Sequence, residues 1–325
     1  MIPEADKYIT LINQEIEKLD MAQRPAELYD PIRYVLALGG KRMRPLLTLM
    51  TYRMYQDHPE SIIKAALVVE FFHNFTLMHD DIMDQAPLRR GQPTVHEKWN
   101  HNIALLSGDV MLVQAYKMLE SVPDDKLSRV LIGFNQCAIE VCEGQQHDMN
   151  FEQREDVSEK EYLDMIRQKT AVLLGFSLEL GAILGGADEQ SCTALRNFGI
   201  NVGVGFQLKD DLLDVYADQA KFGKQVGGDI IVNKKTFLLI KAMEKARDET
   251  KEQLRHWLSL KAFDKQEKVQ AVTDIYDRLH MKALTEQKMN EFFEAGFASL
   301  EQLKVAHDKK EPLKTFAERL INREK

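Results

Sequence analysis

The sequence has few cysteines and no excess of basic residues. Its three cysteines, Cys137, Cys142 and Cys192, are an odd number and lack the spacing of metal ligands. Because Cys137 and Cys142 fall on a predicted helix, we interpret them as core thiols of a protein from a reducing compartment. The formal net charge is −8, which argues against general nucleic-acid binding because that function needs a basic surface.

Segments that direct a chain to a membrane are also missing. Met1–Asp20 is polar and acidic, without the apolar core of a signal peptide. The sequence has no uninterrupted apolar run of about 18 residues, the length that a transmembrane helix needs. With 44% hydrophobic residues in 325, the chain can bury a large core. These features predict a cytoplasmic globular protein without a membrane span.

Apolar residues recur at helical spacing along the chain, and no alternating β pattern of useful length interrupts them. The predicted helices are an N-terminal one with Ile9, Ile12, Ile16 and Leu19 on one face, Pro31–Leu38, Pro45–Tyr55, one from the N-cap Ser61 to the first acidic cluster, Ser107–Leu119, Ser128–Glu143 ending at Gly144, Tyr162–Leu184 after the capping box Ser158-x-x-Glu161, Leu195–Tyr216, Leu238–Leu260, Val269–Asn290 and Leu313–Ile321. Residues 218–233 are predicted to form a loop. The pattern predicts an all-α fold in a single domain over residues 1–325, with a buried central bundle.

The first acidic cluster places three carboxylates within five positions, at Asp80, Asp81 and Asp84. On a helix these spacings bring the side chains to one face, where like charges destabilise the helix. The nearest cations in sequence follow Pro87, which cannot continue the helix. A bound divalent metal at the end of the helix explains the cluster, and carboxylate oxygens without histidine or cysteine suit Mg²⁺.

The same Asp-Asp-x-x-Asp spacing occurs again at Asp210, Asp211 and Asp214. One such cluster is more often a solvated helix face than a metal site. Two identical clusters, each after a mostly apolar run, favour the metal interpretation. Two carboxylate helix ends that face each other would hold several Mg²⁺ ions around a diphosphate.

Two basic motifs accompany the acidic ones: Gly40-Lys41-Arg42-Met43-Arg44-Pro45 and Arg89-Arg90-Gly91. With them the sequence, from about Gly39 to Thr236, resembles the trans-isoprenyl (polyprenyl) diphosphate synthases, and among these the short-chain geranylgeranyl and farnesyl diphosphate synthases. The resemblance implies the isoprenoid synthase fold, a single large bundle of antiparallel helices around a deep central cavity with both aspartate motifs at its mouth. It also implies a homodimer.

The implied reaction is head-to-tail prenyl transfer between isopentenyl diphosphate and an allylic diphosphate. Loss of diphosphate from the allylic substrate leaves a carbocation, which the double bond of isopentenyl diphosphate attacks. The resemblance implies three Mg²⁺ ions: Asp80 and Asp84 match the ligands of two, Asp210 matches the ligand of the third, and Asp81, Asp211 and Asp214 match residues that support the metals or their waters.

The resemblance also assigns the cations and the groups that line the carbocation. The matching residues are Lys41, Arg44, Arg90 and His73 for isopentenyl diphosphate, Arg89, Lys169, Lys224 and Lys234 for the allylic diphosphate, and Thr170 and Gln207 for the carbocation. Lys235 is an alternative to Lys234, because the register of that segment is not forced. Without the resemblance, a lone histidine on an apolar face is more often a core residue than a ligand.

The resemblance also implies a product length, through residues that precede the first motif on the same helix. Phe75 matches the family position at which an aromatic side chain limits elongation, and Thr76 follows where some farnesyl-forming members carry a second aromatic. This combination resembles synthases that stop at C20, with C15 as the alternative. On a helical wheel Phe75 lies about 140° from Asp80 and Thr76 about 40°, so the assignment of Phe75 depends on the resemblance.

Two other functions are compatible with part of the pattern. A class I terpene cyclase also uses an aspartate-rich helix, but it usually has an Asn/Asp, Ser/Thr, Glu motif second and does not need the cations matched to isopentenyl diphosphate. A non-catalytic subunit of a heteromeric synthase is expected to lose one aspartate motif, and both are present here.

Overall fold

The computed structural model describes residues 3–19, 24–217 and 227–321. Those residues are mostly helical, which confirms the predicted all-α fold. The strands among them are two short antiparallel ones, in which Leu88 pairs with Pro93 and Arg89 with Gln92.

We number the elements in chain order. The helices are α1 Pro3–Lys18, α2 Ala26–Ala37, α3 Met43–Arg53, α4 Ile63–Met83, α5 Val95–Lys98, α6 His101–Met118, α7 Asp124–Glu152, α8 Glu159–Ile166, α9 Val172–Gly185, α10 Glu189–Tyr216, α11 Gly228–Ile231, α12 Phe237–Lys245, α13 Asp248–Ser259, α14 Lys265–Arg278, α15 Met281–Glu301 and α16 His307–Ile321. Short 3₁₀ turns cover Pro59–Ile62 and Leu119–Ser121, a π-helical turn covers Arg167–Ala171, and the strands are β1 Leu88–Arg89 and β2 Gln92–Pro93.

Contacts within the chain group the described residues into two compact units. The first unit lies within Met1–Asn135, Phe176–Arg196 and Lys304–Leu313, and the second within Gln136–Gly175, Asn197–Leu303 and Lys314–Lys325. Each unit contains one of the two aspartate motifs. The single domain over residues 1–325 stays a prediction.

Helix α4 forms the centre of the first unit. Every residue from Ala65 to Phe72 is buried, as the apolar run predicts, and the helix packs against α3 and α6. The predicted N-cap at Ser61 is wrong: Ser61 lies in the preceding 3₁₀ turn, and its hydroxyl donates to the carbonyl of His58 at 2.7 Å. Helix α6 begins earlier than predicted because Asn100 caps it, with Oδ1 accepting from the N–H of Ile103 at 2.9 Å.

Helix α4, with the turn before it, is also long and apolar enough to cross a membrane by length and composition. It is the one such helix found among the described residues; it spans Pro59–Met83, and 56% of its apolar window is buried inside the protein. A buried core helix passes the same test, so this is weak evidence for a membrane span.

Helix α7 is longer than predicted, and Gly144 does not end it. The helix continues to Glu152. A Cβ atom at position 144 would lie 2.3 Å from the backbone nitrogen of Lys169, so the glycine permits a close approach between two backbones. The glycine therefore marks a packing position and not a helix end.

The interpretation of Cys142 as a core thiol is wrong. Cys137 and Cys192 are buried, whereas Cys142 is exposed, and all three are free thiols. Cys137 and Cys142 are five residues apart, which is about 140° around a helix, so one face of α7 does not hold both.

The capping box is confirmed, and the helix after it carries an unpredicted irregularity. Ser158 Oγ accepts from the backbone of Glu161, whose carboxylate accepts from the backbone of Ser158. The predicted continuous helix to Leu184 is instead interrupted by the π-helical turn Arg167–Ala171. Such turns are frequent at functional sites, and this one contains Lys169 and Thr170.

In the second unit, two of the predicted long helices are wrong because each is two helices. The first breaks at Ala246, whose backbone is extended, and the second breaks at His280, whose φ is 59°. The apolar pattern continues across the breaks because Leu239, Leu254 and Met281 belong to one core. Residues 218–226 of the predicted loop 218–233 lie outside the described residues, and the rest of it contains the short helix α11.

Candidate functional site

The first aspartate motif, Asp80–Asp84, lies at the end of α4. The side chain of Asp81 is 7% exposed and that of Asp80 20%, whereas Asp84 is exposed. The Nε of Arg89 donates to both oxygens of Asp81, at 2.8 and 2.9 Å, and its Nη2 lies 3.7 Å from Asp80. Arg89 follows Pro87, which ends the helix, and the chain folds back to bring its guanidinium to the cluster.

A tight β-hairpin reverses the chain direction after the first motif. Strands β1 and β2 are joined by Arg90 and Gly91 alone, with φ of 54° and 75°, the positive pair that a type I′ turn requires. A Cβ atom on Gly40 would lie 2.9 Å from both terminal nitrogens of Arg90. The glycine thus lets the guanidinium of Arg90 pack on the backbone next to Lys41, as expected if both cations bind one diphosphate.

A buried ion pair holds the basic motif in place. Arg42 has φ of 46° just before α3. Its guanidinium donates to Glu70 at 2.7 Å, to the carbonyl of Leu36 at 2.6 Å and to Asn13 at 3.0 Å. Sequence reasoning missed this pair, although a lone glutamate within the apolar run of α4 indicates a buried charge that needs a partner.

His73 lies among the cations of the first unit. Burial, and then the positive charges of Arg44, Arg90, Arg89 and Arg42, hold its pKa well below the ordinary value. The imidazole is therefore neutral near pH 7, so it can form a hydrogen bond to an anion but adds no positive charge to this group. The structure thus brings His73, Arg44 and Arg90 together, and Lys41 is exposed on the loop before α3, next to the glycine that Arg90 contacts.

Phe75 and Thr76 lie one turn before the first motif. The ring of Phe75 contacts the ring of His79 at 4.7 Å between centroids and that of Phe72 at 5.7 Å. Thr76 donates its hydroxyl to the carbonyl of His73 at 2.8 Å. Both side chains are partly exposed, and their effect on product length stays a prediction.

The second aspartate motif, Asp210–Asp214, lies near the end of α10 and has the same burial pattern. Asp211 is buried, whereas Asp210 and Asp214 are partly exposed. Asp211 accepts hydrogen bonds from the hydroxyl of Tyr162 and from Nε2 of Gln207 at 3.1 Å. Burial, and next the charge of Asp229, raise the pKa of Asp211 to about 7.

Gln207 also joins the motif to the π-helical turn. Its Oε1 accepts from the hydroxyl of Thr170 at 3.3 Å, so the two residues assigned to the carbocation contact each other. The neighbouring Lys169 lies 2.6 Å from Asp148 on α7. Sequence reasoning missed Asp148 because it follows Gly144, where the helix was expected to end.

The segment after the second motif adds another carboxylate that the sequence did not single out. The backbone N–H of Asp229 donates to Oδ2 of Asp214 at 2.9 Å, and the Asp229 carboxylate lies 4.0 Å from Lys234. Burial raises the pKa of Asp229 to about 6, opposed by Lys234. The ammonium of Lys235 lies 3.5 Å from the carbonyl of Asn233 instead. Lys224, assigned to the allylic diphosphate, lies outside the described residues.

The donor atoms of both motifs fit Mg²⁺. Over residues 3–19, 24–217 and 227–321, no three His, Cys, Asp or Glu side chains converge into a preformed metal site. Mg²⁺ does not need one, because it binds through one or two carboxylates and completes its shell with waters and substrate phosphates. The outer aspartates of each motif, Asp80 with Asp84 and Asp210 with Asp214, supply such carboxylates.

We expect replacement of His73 with glutamine to make folding stability less dependent on pH. The folded-state pKa of His73 is lowered, so below its unfolded pKa of about 6.5 the unfolded chain binds a proton that the folded protein does not. The free energy of unfolding of the wild type should therefore fall as the pH drops from 7 toward 5. In His73→Gln the fall should be smaller. Urea unfolding at pH 7 and pH 5 measures this, with His256→Gln, an exposed histidine on α13, as the control. Equal losses in His73→Gln and wild type would contradict the assignment of a neutral His73.

Comparison with known proteins places the chain in one family. The family model described as polyprenyl synthetase matches residues 25–276. The geranylgeranyl pyrophosphate synthase of Geoglobus acetivorans is 44% identical over 236 residues, covering 72% of this chain and 74% of that protein. A solved structure of a geranylgeranyl pyrophosphate synthase is 43% identical with a TM-score of 0.94 and covers 98% of both chains. The geranylgeranyl pyrophosphate synthase of Corynebacterium glutamicum, solved with isoprenyl diphosphate and magnesium, is 29% identical with a TM-score of 0.82 and covers 98% of this chain and 97% of its own. The chain belongs to the polyprenyl synthetase family and is a trans-prenyltransferase.

Proposed function

We propose that this chain condenses isopentenyl diphosphate head-to-tail with allylic diphosphates in a Mg²⁺-dependent reaction, giving mainly the C20 product and secondarily C15. The observation that carries the proposal is the repeated aspartate motif, with its central carboxylate buried and its outer carboxylates partly or fully exposed. The C20 product is supported by the similar proteins, which are named geranylgeranyl pyrophosphate synthases.

The residues of the first unit suit the binding of isopentenyl diphosphate. Arg90 packs on Gly40, next to Lys41. The positive charges of Arg44 and Arg90 both lower the pKa of His73, which is neutral. Guanidinium groups bind phosphate oxygens with two parallel hydrogen bonds, and lysine adds a point charge. We assign this group to the substrate that keeps its diphosphate during the reaction.

The cations assigned to the allylic diphosphate are held by carboxylates. Arg89 contacts Asp81, Lys169 contacts Asp148, and Lys234 lies near Asp229. Three Mg²⁺ ions at the outer aspartates would stabilise the negative charge that develops on the departing diphosphate. The resemblance assigns these three cations to that diphosphate, and Thr170 and Gln207 to the positive charge that it leaves.

This assignment separates the proposed activity from the alternatives. A terpene cyclase uses a single diphosphate substrate and has no need of the group around His73. A non-catalytic subunit has no need of two intact motifs. Consumption of isopentenyl diphosphate that depends on Mg²⁺ excludes both alternatives, and lack of consumption by the folded protein would contradict the proposal. A cytoplasmic location without a membrane span is part of the proposal.

We further propose a homodimer formed by an apolar face of the first unit, which comprises Leu105, Leu106, Val113 and Tyr116 of α6 and Ile132 of α7. Their exposed fractions are 51, 56, 63, 40 and 69%. Tyr116 joins the two helices by donating to Asn135 at 2.7 Å and packing on Phe134. A cluster of exposed apolar side chains on a folded protein marks an interaction site, and a second copy of the chain carries the same face.

The dimer predicts that Val113→Glu combined with Ile132→Glu halves the molar mass in solution, because two charges would be buried without partners. Light scattering after gel filtration should give twice the 37.4 kDa of one chain for the wild type. Val232→Glu, at an apolar residue that is 70% exposed elsewhere, is the control and should stay dimeric. A wild-type mass of one chain would refute the dimer.

We expect Asp80→Ala and Asp210→Ala each to abolish turnover nearly completely while the protein stays folded. Each change removes a metal ligand, and it also relieves repulsion among the remaining carboxylates, so stability without metal should hold or rise. Turnover at saturating Mg²⁺ and thermal unfolding with EDTA measure the two effects. Near-normal turnover of both variants would remove the metal assignment.

The two groups of cations predict opposite effects on the two substrates. Lys41→Ala and Arg44→Ala should raise the KM for isopentenyl diphosphate more than that for the allylic substrate, and Arg89→Ala should do the reverse. A charge-assisted contact contributes about 1.5–3 kcal/mol, so changes of roughly tenfold or more are expected. Steady-state kinetics with each substrate varied in turn test the split, and equal changes for both substrates in all three variants would exclude it.

Chain length gives a separate prediction. If Phe75 limits elongation, Phe75→Ala should shift the products from C20 to longer chains, as chromatography of the dephosphorylated prenols would show. Phe72→Leu is the control, since Phe72 packs on Phe134 at 5.4 Å and its loss should lower stability without lengthening the products. An unchanged distribution from folded Phe75→Ala enzyme would leave chain length to other residues.

A further inference from the structure

The second unit contains a lysine whose position no catalytic role explains. Lys268, on α14, is fully buried, although lysine is almost never found so without a partner. Its ammonium donates to Oδ1 of Asn233 at 2.6 Å and to the carbonyl of Ile231 at 3.2 Å, and it lies 4.2 Å from the ring centroid of Phe263. Burial lowers the pKa of Lys268.

These contacts fasten the segment 227–234 to α14. Asn233 has φ of 56° and donates through Nδ2 to the carbonyl of Leu258 at 2.9 Å. At the other end of the segment, a Cβ atom on Gly227, whose φ is 84°, would lie 2.6 Å from the methyl groups of Val269. Lys268 and Val269 are adjacent, so one turn of α14 holds both ends of the segment.

The opposite side of the same segment carries the site. Gly227 donates its N–H to the carbonyl of Asp214 at 2.6 Å, and Asp229 donates to the Asp214 carboxylate at 2.9 Å. The N–H of Lys234 donates to the carbonyl of Asp229 at 2.9 Å. A displacement of Asn233 would therefore move Lys234 and Asp229 relative to the second aspartate motif.

We propose that Lys268 is a positioning residue for the second aspartate motif: by holding Asn233 and Ile231, its ammonium keeps Asp229 and Lys234 in place beside Asp214. This inference depends on the proposed function, because it assigns Asp229 and Lys234 to binding of the metal-bound allylic diphosphate. Lys268 itself is buried behind the segment and acts through Asn233.

The test compares three variants of this contact with the wild type. Lys268→Met keeps the length of the side chain and removes the charge. Asn233→Gly keeps the positive φ and removes both the acceptor for Lys268 and the donor to Leu258. Asn233→Asp keeps the positive φ and the acceptor and loses only the donor to Leu258. Lys265→Met is the matched control, since Lys265 is exposed on the same helix.

We expect Lys268→Met and Asn233→Gly to raise the KM for the allylic diphosphate and the Mg²⁺ concentration for half-maximal rate by about tenfold or more, the usual effect of losing an outer-shell partner of a metal site. The KM for isopentenyl diphosphate should change less than twofold. The double variant should be no worse than Asn233→Gly alone, because that variant already removes the contact between Lys268 and Asn233. Lys265→Met should behave as the wild type. Asn233→Asp, which keeps the acceptor for Lys268, should change both constants less than Asn233→Gly.

A purely structural role has a different outcome. It would lower the melting temperature of Lys268→Met and leave all three kinetic constants of the folded fraction unchanged, and that result overturns the proposal. If Lys268→Met does not fold, Asn233→Gly decides in the same way, because Asn233 lies in a partly exposed segment. Inactivity of the wild type in the same assay would instead refute the proposed function.

Discussion

Like charges on one helical turn are the constraint on which the two sites depend. Each motif places three aspartates within five positions, and the protein buries the central one against its own donors. Asp81 accepts hydrogen bonds from the guanidinium of Arg89, and Asp211 accepts them from Tyr162 and Gln207. With the central carboxylate held, the first and last aspartates of each motif are the more exposed ones, as the proposed binding of hydrated Mg²⁺ requires.

The cations near the motifs follow from the same constraint. Arg89, Lys169 and Lys234 each lie beside a carboxylate, at 2.6, 2.6 and 4.0 Å. These partners orient long side chains that would otherwise move freely in solvent. Asp148 and Asp229 also raise the local negative charge, so under the proposed function the second unit combines carboxylates for Mg²⁺ with two lysines for the diphosphate.

Patterns with a short-range cause were predictable from the sequence. The buried stretch of α4, the Ser158 capping box and the spacing of both motifs follow from periodicity and local hydrogen bonding. The resemblance added roles for scattered cations such as Arg44 and Arg90, and the structure gathers these two around His73.

Features that depend on distant backbone were not predictable. In the sequence, Gly144 predicts a helix end because glycine is common just after helices. The structure shows that it lies inside the helix, where the backbone of Lys169 comes too close for any side chain. The return of Arg89 to Asp81 depends on a two-residue hairpin, and the breaks at Ala246 and His280 lie within an uninterrupted apolar pattern. Lys268 has no sequence signal, because a lysine on an amphipathic helix is normally exposed.

The most direct test of the account is a single incubation of the purified protein with isopentenyl diphosphate and farnesyl diphosphate, with Mg²⁺ or with excess EDTA. The account predicts that Mg²⁺ gives geranylgeranyl diphosphate and an equal amount of released diphosphate, and that EDTA gives neither. Release of diphosphate from farnesyl diphosphate without consumption of isopentenyl diphosphate would show a cyclase, and product formation in EDTA would contradict the role of the two aspartate motifs.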